Sequence, residues 1–190
     1  MDNKKRCDWP GANELMIKYH DEEWGTPVHD DRLWFEFITL DAFQAGLSWA
    51  IVLNKRENFR TEMNNFEPEK IAKYDEKKYD ELVQNAGIIR NKAKIRATIN
   101  NAKAFLEIQK EYGSFDKFIW GLFDNKPIVN KWKTTAEIPA STPESDMLSK
   151  ELLNRGFKFV GSTICYAFMQ GAGIVNDHLV DCFQHKELTS

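Results

Sequence analysis

Apolar residues recur at helical spacing along almost the whole chain, and turn-forming residues separate the runs. Asn13 is placed to cap a helix that carries Leu15, Met16 and Tyr19 on one face, with Glu14 in its first turn, and Gly25-Thr26-Pro27 ends it. Asp30 or Asp31 caps the next, whose core face is Leu33, Trp34, Phe37 and Ile38. A break is expected near Asp41–Ala45, then a helix from Ser48 to Asn64 that buries Trp49, Val52, Leu53 and Phe59. Pro68 sits in the first turn of a further helix. The longest pattern runs from Arg90 to Tyr112 and stops at Gly113, and Ser114 then caps Phe115–Phe123.

Residues 124–143 read as loop, broken by Asn125, Pro127, Pro139 and Pro143. Ser145 is expected to cap Asp146–Arg155, Gly156 to close that helix, and a new one to open near Gly161 and run to Gly171. Asn176–Cys182 is a short helix or turn, and Gln184–Ser190 a frayed tail. No stretch alternates as a strand does, and no repeat or linker appears. The pattern predicts an all-α protein in which residues 1–190 form one unit, either a single body or two helical lobes.

Composition narrows what such a bundle can do. The 190 residues carry a net charge of −3, so a long nucleic-acid footprint is disfavoured and any DNA contact must come from a small local patch. No apolar leader follows the polar first residues and no run is long enough to span a membrane, which makes the cytoplasm the expected compartment. In that compartment the three cysteines are expected to be free, either buried or holding a metal.

Three groupings carry chemistry. His178 and Cys182 stand at i and i+4, where a helix would put both on one face, and Cys7 with His20 repeats the two ligand types near the N-terminus. Together they make a closed tetrahedral zinc set tying the termini, structural in kind; ordinary buried thiols are the competing reading. The second grouping is Gly156-Phe157-Lys158-Phe159-Val160-Gly161 between two helical runs. Its amides, the dipole of the following helix, Lys158, Ser162 and Thr163 suit a sequence-independent phosphate grip, and a plain helix–loop–helix is the alternative. The third is the density of Trp9, Tyr19, Trp24, Trp34, Phe43 and Trp49 around one acid, Asp41. Such rings beside a carboxylate suit a flat cationic base, although each ring alone fits a core and Asp41 alone fits a helix cap.

Six motifs then converge: Tyr19-His20-Asp21-Glu22-Glu23-Trp24-Gly25, Gln44-Ala45-Gly46-Leu47-Ser48-Trp49, Leu53-Asn54-Lys55-Arg56-Glu57, Asn85-Ala86-Gly87-Ile88-Ile89-Arg90, Arg155–Gly161 and Asn176-Asp177-His178. From Arg6-Cys7-Asp8-Trp9 to Cys182 the chain resembles the 3-methyladenine DNA glycosylase I family, bacterial members of the helix-hairpin-helix superfamily. The resemblance implies release of 3-methyladenine from DNA as the first step of base excision repair; the partners expected are alkylated double-stranded DNA and the free base as product, and the chain is expected to be a monomer. It implies a structural zinc on Cys7, His20, His178 and Cys182. It places base recognition on Asp41, stacking on Trp49, further pocket rings on Trp9, Tyr19 and Trp24, and insertion into the duplex on Leu47 beside Gly46. Two positions depart from the pattern: Asp41 stands where family members commonly have Glu, and Met16 where some have Tyr.

N3-methylation makes adenine a cationic, weakly bonded leaving group, so the expected reaction is hydrolysis by base flipping, with no lysine Schiff base and no strand cleavage. A DNA-binding module without catalysis would need the hairpin but no aromatic pocket with an acid. A glycosylase for another alkylated purine would need a roomier pocket.

Overall fold

A computed structural model describes residues 4–189. Ten α-helices make up most of the described chain. They are α1 (Glu14–Glu22), α2 (Asp31–Gln44), α3 (Trp49–Glu62), α4 (Pro68–Ile71), α5 (Glu76–Gln84), α6 (Lys92–Tyr112), α7 (Phe115–Leu122), α8 (Pro143–Asn154), α9 (Ser162–Gly171) and α10 (Phe183–Glu187). Two strands of two residues, β1 (Ile128–Val129) and β2 (Val175–Asn176), pair in parallel. Among the described residues these strands are the one departure from all-helical secondary structure. They are too short to leave an alternation in sequence, and they stitch the long loop after α7 to the segment after α9.

The architecture is organised on α2. Every residue from Trp34 to Phe43 is buried, because α3, α6, α7 and α9 all pack against it. A helix covered on every side shows no polar face, which is why the sequence pattern places a break at Asp41 although the helix continues to Gln44. Asp41 is therefore an interior helical residue, and the cap belongs to Asp30, whose side chain accepts from Leu33 N. Asp31 reaches further. Its carboxylate accepts from the amides of Phe115 and Asp116 at 2.8 and 2.9 Å, capping α7 from another part of the chain.

The buried Glu36 carboxylate on α2 is matched. Glu36 receives Arg32, Arg56 and Arg60, and Arg56 also bridges to Glu23 at the end of α1. Burial alone would raise the Glu36 carboxyl, but the arginines beside it win and hold it below the usual range. At the other end of α2, Lys94 Nζ bonds the carbonyls of Phe43 and Ala45 at 2.9 and 2.6 Å, satisfying the helix terminus where the chain turns toward Leu47.

Two further boundaries differ from the sequence reading, and the choice of helix or turn before Cys182 falls to the turn. Thr142 caps α8, and Ser145 is the third helical residue of a capping box with Thr142. Residues 177–182 form an extended turn, so His178 and Cys182 are not brought together by helical spacing. The expected frayed tail instead contains α10, with Gln184 and His185 buried and His185 Nε2 2.9 Å from the Asn130 carbonyl; Ser190 lies outside the described residues. Glycine is indispensable at 173, where φ is +72° and a Cβ would lie 2.2 Å from the Thr26 carbonyl carbon.

Candidate active site and metal cluster

A cavity of about 310 Å³ opens beside the C-terminal half of α2. It is near the small end of the range for ligand sites, ~300 Å³ upward. One wall is aromatic: Trp9, Tyr19, Trp24 and Trp49. Trp9 meets Trp24 edge-on at 5.1 Å, and Tyr19 meets Trp49 at 5.2 Å. Asp41 and Gln44 face the cavity from α2, and Met16 from α1. Thr135 and Ile138 close it from the loop after β1, and Ala167 and Gln170 from α9.

Three residues that line this cavity each carry a buried polar atom without a partner. Trp9 Nε1, Asp41 Oδ2 and Trp49 Nε1 are buried with no hydrogen-bond partner among the described residues, and Thr39 Oγ1 is the one other such side-chain atom. Buried polar groups are ordinarily paired. Three orphans on residues of one small cavity, two donors and one acceptor, suit a polar ligand bound there. Burial pushes Asp41 well above the ordinary aspartate range, and Arg56 offsets only part of that. Burial, reinforced by the Asp41 and Glu23 charges, raises Tyr19 as well, so the phenol stays neutral.

Behind the aromatic wall lies a second cluster. The ligand atoms of Cys7, His20, His178 and Cys182 all fall within 4.8 Å of one another, and all four residues are buried. Cys182 Sγ is 3.5 Å from both His20 Nε2 and His178 Nδ1. The outward ring nitrogens are engaged elsewhere. His20 Nδ1 lies 2.8 Å from the Asp21 carboxylate, and His178 Nε2 2.8 Å from the Trp24 carbonyl. A carbonyl only accepts, so the His178 proton is on Nε2 and the Nδ1 lone pair faces the sulfurs. The same holds for His20 with its carboxylate. Arg6 secures that carboxylate in turn at 2.7 Å and, against the burial that would raise it, helps His20 to lower Asp21. Two thiols, two inward lone pairs and ring protons held by a carboxylate and a carbonyl fit a tetrahedral zinc in both ligand set and outer support. The thiols interact directly: hydrogen bonding to Cys7 draws Cys182 down and, with burial, pushes Cys7 up.

The hairpin of residues 155–161 joins α8 to α9, which pack on each other. Gly156 takes φ +88° and Phe159 takes +57°. Asn101 on α6 clamps the tip: its Oδ1 accepts from Lys158 N at 2.8 Å and its Nδ2 donates to Lys158 O at 3.0 Å. Asn100 bonds the Gly156 carbonyl and Ser149 the Val160 carbonyl, both at 2.7 Å. Phe157 and Val160 point into the core, whereas Phe159 is exposed. Ser162 turns its hydroxyl to Ser145 Oγ at 2.8 Å, and Thr163 is the exposed hydroxyl of the first turn of α9. The expected Ser162 hydroxyl donor is therefore engaged inside the protein, and so is the Lys158 amide; the Lys158 side chain remains exposed. Gly46 at φ +81° turns the chain after α2 and leaves Leu47 exposed, its amide bonded to the carbonyl of the cavity residue Gln44.

A model of the methyladenine glycosylase family matches residues 9–185. The chain belongs to the methyladenine glycosylase family. Among its relatives, DNA-3-methyladenine glycosylase 1 of Escherichia coli K12 is 50% identical over 178 residues, 94% of this chain and 95% of the relative. The crystal structure of a 3-methyladenine DNA glycosylase I, 50% identical, superposes with a TM-score of 0.91 over 94% of this chain and 98% of that one. A variant of such an enzyme in complex with 3-methyladenine, 32% identical, gives 0.92 over 95% and 97%.

In this methyladenine glycosylase the five base-pocket residues expected from sequence, Trp9, Tyr19, Trp24, Asp41 and Trp49, all line one cavity. The four expected metal ligands form one cluster. Trp34 and Phe43, counted among the ring cluster, belong instead to the core. Thr135, Ile138, Ala167 and Gln170 were not legible as pocket residues, because they lie about 90 to 130 positions from Asp41. The one local signal is that Ala167 and Gln170 stand three apart on one helix, on the same face.

Proposed function

We propose that the cavity beside Asp41 receives 3-methyladenine flipped from alkylated DNA, and that the chain hydrolyses the N-glycosidic bond of that lesion, initiating base excision repair. The three unpartnered polar atoms in a small aromatic cavity carry this reading. The lesion is a cation before cleavage and leaves as a neutral base, so the protein has little proton transfer to perform. What it must do is select, hold and seal.

Selection follows from electrostatics. Burial in this pocket works against the Asp41 charge. A cationic base supplies the missing counter-charge, so Asp41 is ionised most readily when the ligand is positive, and a neutral adenine gains less. The ring faces add attraction for the same cation. Asp41 Oδ2 accepts from the exocyclic amine, and the N–H groups of Trp9 and Trp49 are free to donate to ring nitrogens. With an aspartate here rather than a glutamate, the base is drawn closer to α2. The reaction proposed is hydrolysis by water, with no lysine Schiff base and no strand cleavage.

DNA is gripped on two sides in this reading. Leu47 on its Gly46 turn fills the space the base leaves. The hairpin Gly156–Gly161, Lys158, Thr163 and the first-turn amides at Ser162 hold a backbone phosphate, the arrangement of the helix-hairpin-helix superfamily. Zinc on Cys7, His20, His178 and Cys182 would supply structural cross-linking, since four protein ligands leave no position for substrate. The enzyme works as a monomer, and no helix among the described residues is long and apolar enough to cross a membrane.

The test is release of bases from methylated duplex DNA, resolved chromatographically. 3-Methyladenine should appear well ahead of 3-methylguanine, with 7-methylguanine retained and the strand intact; 7-methylguanine as the main product would sink the assignment. The hairpin is tested separately. Asn101→Ala removes two hydrogen bonds that shape its tip and should cost about 1–2 kcal/mol of stability. DNA affinity measured by fluorescence anisotropy should drop severalfold while titration with free 3-methyladenine is unchanged.

A further inference from the structure

Gln170 lines the cavity from the last turn of α9, and its amide is not free to choose which end it presents. Its Nε2 lies 2.8 Å from Asp177 Oδ2. Asp177 is wholly buried and ringed by donors. Tyr166 OH reaches the same oxygen at 2.5 Å, and Trp132 Nε1 and Asn130 Nδ2 reach the other at 2.7 Å each. An indole N–H can only donate, so the group at its focus is an acceptor, and the Gln170 amide must turn its N–H toward it. The carbonyl end is left over: Oε1 accepts from no described residue.

We infer that Gln170, fixed by Asp177, is a second reader of the exocyclic amine: its Oε1 takes one N6–H of the base while Asp41 takes the other. This rests on the function proposed above and names its specificity more closely. Adenine presents an amine at position 6 and guanine a carbonyl oxygen. A carbonyl locked toward that position accepts from the first and repels the second, and it does so without a net charge. Asp41 alone answers to positive charge, which 3-methylguanine also carries. Gln170 therefore sorts methylated purines by their 6-substituent. Asp177 is a positioning residue here. Through Asn130 and Trp132 it also anchors the loop that carries Thr135 and Ile138 to the opposite wall.

The experiment uses Gln170→Met, which keeps the side-chain length and removes the acceptor, with circular dichroism confirming the fold. Two readouts are taken on wild type and variant: titration with free 3-methyladenine followed by tryptophan fluorescence, and kcat/KM for release of 3-methyladenine and 3-methylguanine from methylated duplex. Loss of one neutral hydrogen bond should weaken free 3-methyladenine about tenfold. Release of 3-methyladenine should fall by a similar factor while release of 3-methylguanine holds or rises. Unchanged binding of the free base overturns the inference, whatever happens to kcat, since Gln170 would then act on water or on packing. Equal losses for the two bases overturn it as well. Asp177→Asn, which can present an N–H to Gln170 and let the amide turn over, should narrow the preference in the same direction; a preference as wide as wild type's in a folded Asp177→Asn protein also counts against it. Failure of the wild type to release 3-methyladenine is a separate result, and it would defeat the proposed function itself.

Discussion

Asp41→Asn is expected to lose binding and gain stability at once. In the pocket the substitution replaces an acceptor that can be charged with an amide that cannot, and a hydrogen bond to a charged group contributes about 2 kcal/mol, or roughly thirtyfold in affinity. Release from methylated DNA, where the base is a cation, should show that loss, and affinity for free 3-methyladenine, which is neutral, should fall by a smaller factor. Unchanged affinity in the variant would remove Asp41 from base recognition.

Stability should move the other way. Burial raises the Asp41 carboxyl in the folded chain above its unfolded value, so the folded state holds its proton more tightly. Between the two values the folded protein binds more protons than the unfolded one, and stability falls as pH rises through that window. Asparagine has no such liability. The variant should melt higher than the wild type at neutral pH, and the gap should close as pH is lowered toward the unfolded carboxylate range. A variant that melts lower at every pH would mean that Asp41 has a structural partner, contrary to its unpaired Oδ2.

That opposition explains how the pocket was legible in the sequence when its exact placement was not. Local composition exposes an acid among rings, and the ring residues Trp9, Tyr19, Trp24 and Trp49 do converge on Asp41. Yet α2 is buried all round, so the periodicity that marks helix boundaries is absent just where Asp41 sits, and a continuous helix reads as a break. The opposite wall carries no such mark. Gln170 and Ile138 reach the cavity because Gly171 lets α9 approach Tyr19, where a Cβ would stand 2.9 Å from the phenol oxygen, and because Asp177 ties the loop down. Both are long-range facts. His178 and Cys182 are the reverse case: helical spacing pairs them in the sequence, whereas a turn pairs them in the fold, its Cys182 amide bonded to the Leu179 carbonyl at 2.8 Å.

Cys182→Ser tests what that turn is for. A serine hydroxyl is a poor zinc ligand at neutral pH, and the remaining Cys7, His20 and His178 cannot complete a tetrahedron. Zinc per chain, read by atomic absorption after purification, should fall from one toward zero. Metal affinity is folding free energy where the unfolded chain has no site, so the variant should melt lower than the wild type by ~10 °C or more for a chain of this size. A chelator should reproduce the shift in the wild type and leave the variant unmoved. The damage should also reach the pocket, because the cluster supports its aromatic wall directly: the Trp9 ring lies 5.3 Å from His20, the Trp24 ring 4.6 Å from His178, and the Trp24 carbonyl holds the His178 proton. Free 3-methyladenine should therefore bind more weakly to the variant even below its melting temperature. Full zinc content in Cys182→Ser would sink the four-ligand assignment. Zinc loss with an unchanged Tm would leave the ligands in place and sink the claim that they fasten the two ends of the chain behind the base pocket.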